Sequence, residues 1–157
     1  MKQPERDQSG KVIPHDHPEL FSDDMLIRRI SPYHLTREGN GQRVSSKAFH
    51  PSSAAGEGMS VDIKKLIIQD GKTPRDIIAT TGAFIGAVEF PVAVVRNEGL
   101  LAGWDPLEDN PYHGQVWGKK PPDQFTKGKQ KKILAASKWT EGLSIPGVLL
   151  PFDSASS

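Results

Sequence analysis

The chain of 157 residues contains no cysteine. That excludes a disulfide framework, a thiolate nucleophile and any cysteine-based zinc site. A surplus of charge is missing too: 20 Lys and Arg stand against 19 Asp and Glu, a net charge of +1. A whole-molecule electrostatic grip on nucleic acid or on a membrane surface is therefore not encoded, and any such affinity needs a local patch. Apolar residues make up only 36% of the chain. No apolar run approaches the ~20 residues that cross a bilayer. The opening stretch, MKQPERDQSGKVIPHDHPEL, has no apolar core of the kind a secretory signal needs. The sequence thus predicts a soluble, cytoplasmic chain with no membrane partner. A Walker-type phosphate loop, a serine-hydrolase nucleophile elbow, internal repeats and heptads are all missing.

Turn-forming residues are plentiful, with 13 Pro and 15 Gly. They favour several short elements joined by loops over a helical bundle. The length suits one domain with a real core. The expected fold is α+β: a mixed, mainly antiparallel sheet of about five to six short strands covered by two or three helices. Residues 1–19 carry charge, Pro and Gly and almost nothing apolar beyond Val12 and Ile13. They read as a flexible N-terminal arm, followed by one globular domain over 20–152 and a frayed tail over 153–157.

Within the domain, MLIRRI predicts a strand over 25–30, closed by Pro32, with Arg28 and Arg29 on opposite faces. Glu38-Gly39-Asn40-Gly41 is a turn signal, and 43–49 alternates like a second strand. PSSAAGEG (51–58) reads as a flexible loop. IKKLIIQDG has helical spacing and a glycine stop. Thr73-Pro74-Arg75-Asp76 is a helix start: Thr caps, Pro fits the first position, and the acid at the third suits both cap and dipole. A helix over 74–81 follows. From Ala83, the runs FIGAVEF, PVAVV, LLAGW and QVWG predict three or four strands that hold the core. A helix is expected over 124–139, weakened at Gly128, and IPGVLLPF is expected to pack back as an extended segment.

The chemistry centres on residues 26–62. Arg28, Arg29, His34, Arg43, Ser45 and Ser46 would share one rim if the first two strands were neighbours. Guanidinium groups clamp phosphate or carboxylate, and Ser and His add hydrogen bonds. Alternation alone would also point such residues outward as ordinary strand polarity. His113, in NPYHGQVWG, enters a strand after a proline turn and is a candidate acid or base alongside His34. Asp105, Glu108 and Asp109 lie near it as orienting carboxylates. His15-Asp16-His17 has donors suited to a metal, but solvated histidines account for it far better, and no metal site is assigned. Lys127, Lys129, Lys131 and Lys132 form the one dense basic run. It is either a solvated helix face or a surface for a protein partner or nucleic acid.

An arginine strand followed by a serine strand and a loop loosely resembles compact NAD-using ADP-ribosyltransferase folds. That resemblance covers under a quarter of the chain. It implies a nucleotide ligand and a third element late in the sheet, a Glu or second His, for which Glu89 occupies a suitable strand. No motif names a cofactor or sets an oligomeric state. Two functions follow: a non-catalytic module gripping a macromolecular partner through the basic helix and polar loops, or a small enzyme or ligand-binding domain for a phosphate-bearing nucleotide.

Overall fold

A computed structural model describes residues 1–52, 58–119 and 125–151. Its described residues form an α+β fold, with a six-stranded sheet in the order β6-β7-β4-β1-β5-β8 and a three-stranded sheet in the order β2-β3-β9. The strands are β1 (Met25–Ile30), β2 (Leu35–Glu38), β3 (Gly41–Val44), β4 (Met59–Ile63), β5 (Gly86–Pro91), β6 (Leu101–Trp104), β7 (His113–Trp117), β8 (Lys138–Trp139) and β9 (Val148–Leu149). The helices are α1 (Lys64–Gln69), α2 (Pro74–Ile77), α3 (Val92–Asn97) and α4 (Lys127–Ala135), with 3₁₀ turns at Pro32–His34 and Ser46–Phe49. Every pairing in the large sheet is antiparallel. The single parallel pair, β3 with β9, makes the smaller sheet mixed.

Strand alternation divides the large sheet into two faces. Leu26, Ile30, Met59, Val61, Val88, Phe90, Ala102 and Val116 face the main core, together with Phe49, Val92, Val95, Ile133 and Leu134 from the covering elements. The opposite face buries a smaller cluster of Ile27, Ile67, Ile78, Ala87, Tyr112 and Leu143. Beside that cluster the register lines up Lys138, Glu89, Ile27, Asp62 and His113 as direct neighbours across five strands. An apolar residue thus sits in the middle of a polar row.

The predicted helix start at Thr73 is present as a capping box with Asp76. Two other expectations shift. PVAVV forms helix α3 instead of a strand. Val92 and Val95 bury one helical face, and Asp24 O and Ser22 O accept from the otherwise orphaned Val92 and Ala93 amides. Tertiary packing overrides the β preference of valine here. The second predicted strand stops at Val44, because the Ser45 hydroxyl accepts from Lys47 N and starts a 3₁₀ turn.

The expected pairing of the arginine strand with the Ser-Ser strand does not occur. β1 lies between β4 and β5, while β3 belongs to the other sheet. The helix expected over 124–139 runs from Lys127, capped by Thr126, to Ala135; residues 138–139 pair with β5 instead. Parts of the 51–58 loop, the 120–124 approach to α4 and the tail beyond 151 lie outside the described residues.

Residues 1–19, expected as an arm, lie along the outer edge of β6. Val12 and His17 are buried. His17 N donates to Ala102 O, Ala102 N donates to the Asp16 carboxylate, and Trp104 N donates to His15 Nε2. Edge groups of β6 are satisfied this way without a full strand.

Candidate functional site

A cleft of about 580 Å³ opens between β1, β4, the start of β7 and the loop that carries α2, lined by residues from both faces of the sheet. Its origin is a parting of strands. β1 pairs with β4 only at Leu26–Ile63 and Ile27–Asp62. Beyond that point Arg28 and Arg29 fill the gap with side chains. Arg28 Nε donates to Ala48 O and its Nη1 to Ser60 O, both at 2.8 Å. Arg29 holds the Asp62 carboxylate through two nitrogens, Nε to Oδ2 at 2.9 Å and Nη2 to Oδ1 at 3.3 Å. Asp62 Oδ1 also accepts from Asn110 Nδ2 at 2.9 Å, so a carboxylate only 3% exposed is fully engaged.

Charge in the wall is uneven. Two guanidinium groups share the one carboxylate of Asp62, and that carboxylate is bound by Arg29. Arg28 has no ion-pair partner among the described residues, and burial pushes its pKa down to about 10. A cation held only by carbonyl dipoles has room for an anion beside it. Lys72 is a further cation on the rim, 5.8 Å above the Tyr112 ring, with Asp76 and Asp109 as rim acids. Hydrogen bonds from Thr73 hold the Asp76 carboxyl below its ordinary range. Val61, Ile77, Phe84, Leu107 and Pro111 supply apolar wall, so the cleft has both polar and apolar surface.

His113 is half-buried in this cleft. Its Nδ1 lies 2.8 Å from the backbone oxygen of Asp105 and 3.3 Å from that residue's carboxylate Oδ2. A carbonyl can only accept, so Nδ1 carries the proton and the neutral ring keeps its lone pair on Nε2. No group among the described residues bonds Nε2. A ring oriented by a backbone carbonyl, with a carboxylate 3.3 Å away and a free basic nitrogen at a cleft, is an arrangement that general acid–base chemistry can use.

The sequence-nominated residues separate accordingly. Arg28, Arg29 and His113 line the cleft. His34 lies behind Arg28: its Nδ1 accepts from Ser31 N, and burial, Arg28 and Lys47 push its pKa down to about 4. His34 is therefore neutral with its Nδ1 lone pair engaged, which makes it a poor general base. Arg43 lies 3.9 Å from Glu38 in the small sheet, and Ser45 caps the following turn; neither lines the cleft, nor does Ser46. Glu89, only 1% exposed, pairs with Lys64 at 2.9 Å on the far side of Ile27 and does not line the cleft. His15 and His17 are engaged in backbone hydrogen bonds, and the described residues hold no cluster of three metal-ligating side chains. On α4, Lys127, Lys131 and Lys132 are exposed and Lys129 is half-buried.

Ser60, Asp62, Lys72 and Asn110 escaped sequence reasoning. The one available signal was the alternation in MSVDI, which puts Ser60 and Asp62 on the same strand face. No helix among the described residues is long and apolar enough to cross a membrane. No family model matches the chain, and no curated protein or solved structure matches it either.

Proposed function

We propose that the protein is a small cytoplasmic enzyme that binds a phosphate-bearing nucleotide in this cleft. Arg28 receives the phosphate, Phe84 and Leu107 face the base, and His113 moves a proton through Nε2. Asp105 steadies the cationic ring once it is charged. The observation that carries this reading is His113, beside the Asp105 carboxylate, opening onto a cleft lined by a guanidinium that has no ion-pair partner among the described residues. Arg29 is an unsuitable anchor, because Asp62 already neutralises it. Of the hydroxyls near the arginines, that of Ser60 lines the cleft, so Ser60 takes the part first given to Ser45 and Ser46. NAD is one candidate in this ligand class.

A thermal-shift series with AMP, NAD, ribose 5-phosphate and inorganic phosphate tests it. A ligand held at about 100 times its Kd adds about 2.7 kcal/mol, which in a chain of this size raises Tm by about 5 °C or more. Arg28→Lys should weaken the shift, and His113→Asn should keep the shift while losing turnover. No response to any of the four at millimolar concentration would end the nucleotide reading.

A second reading keeps α4 as a docking face for a protein partner or nucleic acid. Its support is that Lys127, Lys131 and Lys132 are exposed and, among the described residues, lack ion-pair partners. Lys131→Glu combined with Lys132→Glu should abolish partner capture in a pull-down; unchanged capture removes the helix from consideration.

A further inference from the structure

We propose that Gln115 is a positioning residue for the Asp105–His113 pair: its amide fixes the Asp105 carboxylate and ties the pair to the backbone at Gly58. This rests on His113 being the acid–base group of the cleft. Gln115 lies two residues along β7 from His113, on the same face of the sheet, and is buried. Its orientation is dictated by its partners. The Asp105 carboxylate accepts, so Nε2 donates to Oδ2 at 2.6 Å; the Gly58 amide donates, so it meets Oε1 at 2.8 Å. Both ends of the amide are engaged, and the side chain does not line the cleft.

Asp105 is equally enclosed, and among the described residues no Lys or Arg pairs with it. Among the described residues its charge is met by the Gln115 amide and, at 3.3 Å, by the His113 ring. A buried carboxylate held by a dipole instead of a full counter-charge keeps its attraction for a proton on the neighbouring ring. Without the amide, that carboxylate is free to turn away from Nδ1. The other charged groups around His113 are Asp62, directly opposite on β4 and bound to Arg29, Arg28 in the cleft wall, and Lys72, Asp76 and Asp109 on the cleft rim. Changing Gln115 leaves all of them in place.

The test follows the His113 ring signals by NMR across a pH series in the full chain, with no ligand added. Four proteins are compared: wild type, Gln115→Met, Asp105→Asn and the double variant. Gln115→Met should lower the His113 midpoint by about half a pH unit or more. The shift should run in the same direction as that of Asp105→Asn. The double variant should match Asp105→Asn alone, because one residue acts through the other. Gln115→Asn, whose shorter side chain withdraws the amide from Asp105 Oδ2, should lower the midpoint as well.

A wild-type midpoint and ring tautomer in Gln115→Met, or effects of the two single variants that simply add, would overturn the assignment. Should Gln115→Met fail to fold, Gln115→Asn decides: a midpoint unchanged there overturns it equally. Because no ligand is present, a normal Gln115 cycle beside a silent nucleotide series would sink the nucleotide reading and leave the positioning role standing.

Discussion

Arg29 reaches back across the gap where two strands part and holds Asp62 through two nitrogens, at 2.9 and 3.3 Å. Asp62 is opposite Ile27, the last registered residue of β1 against β4, and Arg29 is two residues further along on the same face. The pair therefore staples the sheet where its ladder ends, and it forms one wall of the cleft. Architecture and candidate chemistry share the same atoms.

Removing one member of such a buried pair strands the other. Arg29→Met should leave the Asp62 carboxylate with only Asn110 and destabilise the protein by about 3 kcal/mol. Replacing both together with Arg29→Met and Asp62→Leu should cost less than Arg29→Met alone. Urea unfolding of the two variants checks this. A double variant weaker than the single would refute the staple.

Glu89 poses the same problem in deeper surroundings, since Lys64 is its cationic partner among the described residues. Lys64→Met is expected to lower stability by about 3 kcal/mol at neutral pH. Part of that loss should return on acidification, as the stranded carboxyl takes up a proton. A loss that does not shrink at low pH would contradict the pairing.

His34 gives a pH dependence of defined sign. Its pKa in the folded protein is about 4 against an ordinary value of 6.5. Between those values the unfolded chain binds the extra proton and the folded chain does not, so stability rises with pH. The contribution is complete above about pH 6.5 and disappears as pH falls toward 4. Partial exposure limits it to about 1–2 kcal/mol. Chemical denaturation at intervals between pH 4 and pH 7, for wild type and His34→Asn, should show a slope that the variant lacks. An equal slope in both would remove His34 as its source.

Gly58 is held for want of space. A Cβ there would overlap Val116 O and sit 2.8 Å from Trp117 Cδ1. Gly58→Ala should displace the backbone amide that Gln115 accepts from, and cost about 1–3 kcal/mol. The His113 ring signals should move with it. Wild-type signals in a folded Gly58→Ala protein would show that the backbone anchor does not reach the ring.

Local signals were legible wherever a few residues decide the outcome. MLIRRI gave the strand over 25–30, and Thr73 through Asp76 gave a helix start whose capping box is present. Glycine-bearing turns marked the ends of several elements. Helix α3 was not legible, because three valines favour a strand until burial at a spacing of three and waiting carbonyls reverse the preference. The cleft was half legible. Arg28, Arg29, His113 and the Asp105 carboxylate could be nominated as residue types near turns and strands. Their meeting with Asp62 and Asn110 depends on β7, β4 and β1 lying side by side, an order that does not follow the chain. Periodicity carries no information about such an order. Ser45 and Ser46 were nominated on an adjacency that strand order denies them.

The way the first twenty residues seal the rim of β6 has a practical corollary. Proteolysis or truncation after Leu20 would bare the amides of Ala102 and Trp104 and uncover the indole rings of Trp104 and Trp117, against which His17 packs edge-on and His15 at a tilt. A naked strand edge beside exposed indoles is a template for a neighbouring copy. Shortened preparations should therefore precipitate where the full chain stays dispersed, and a purification handle is better carried at the opposite end.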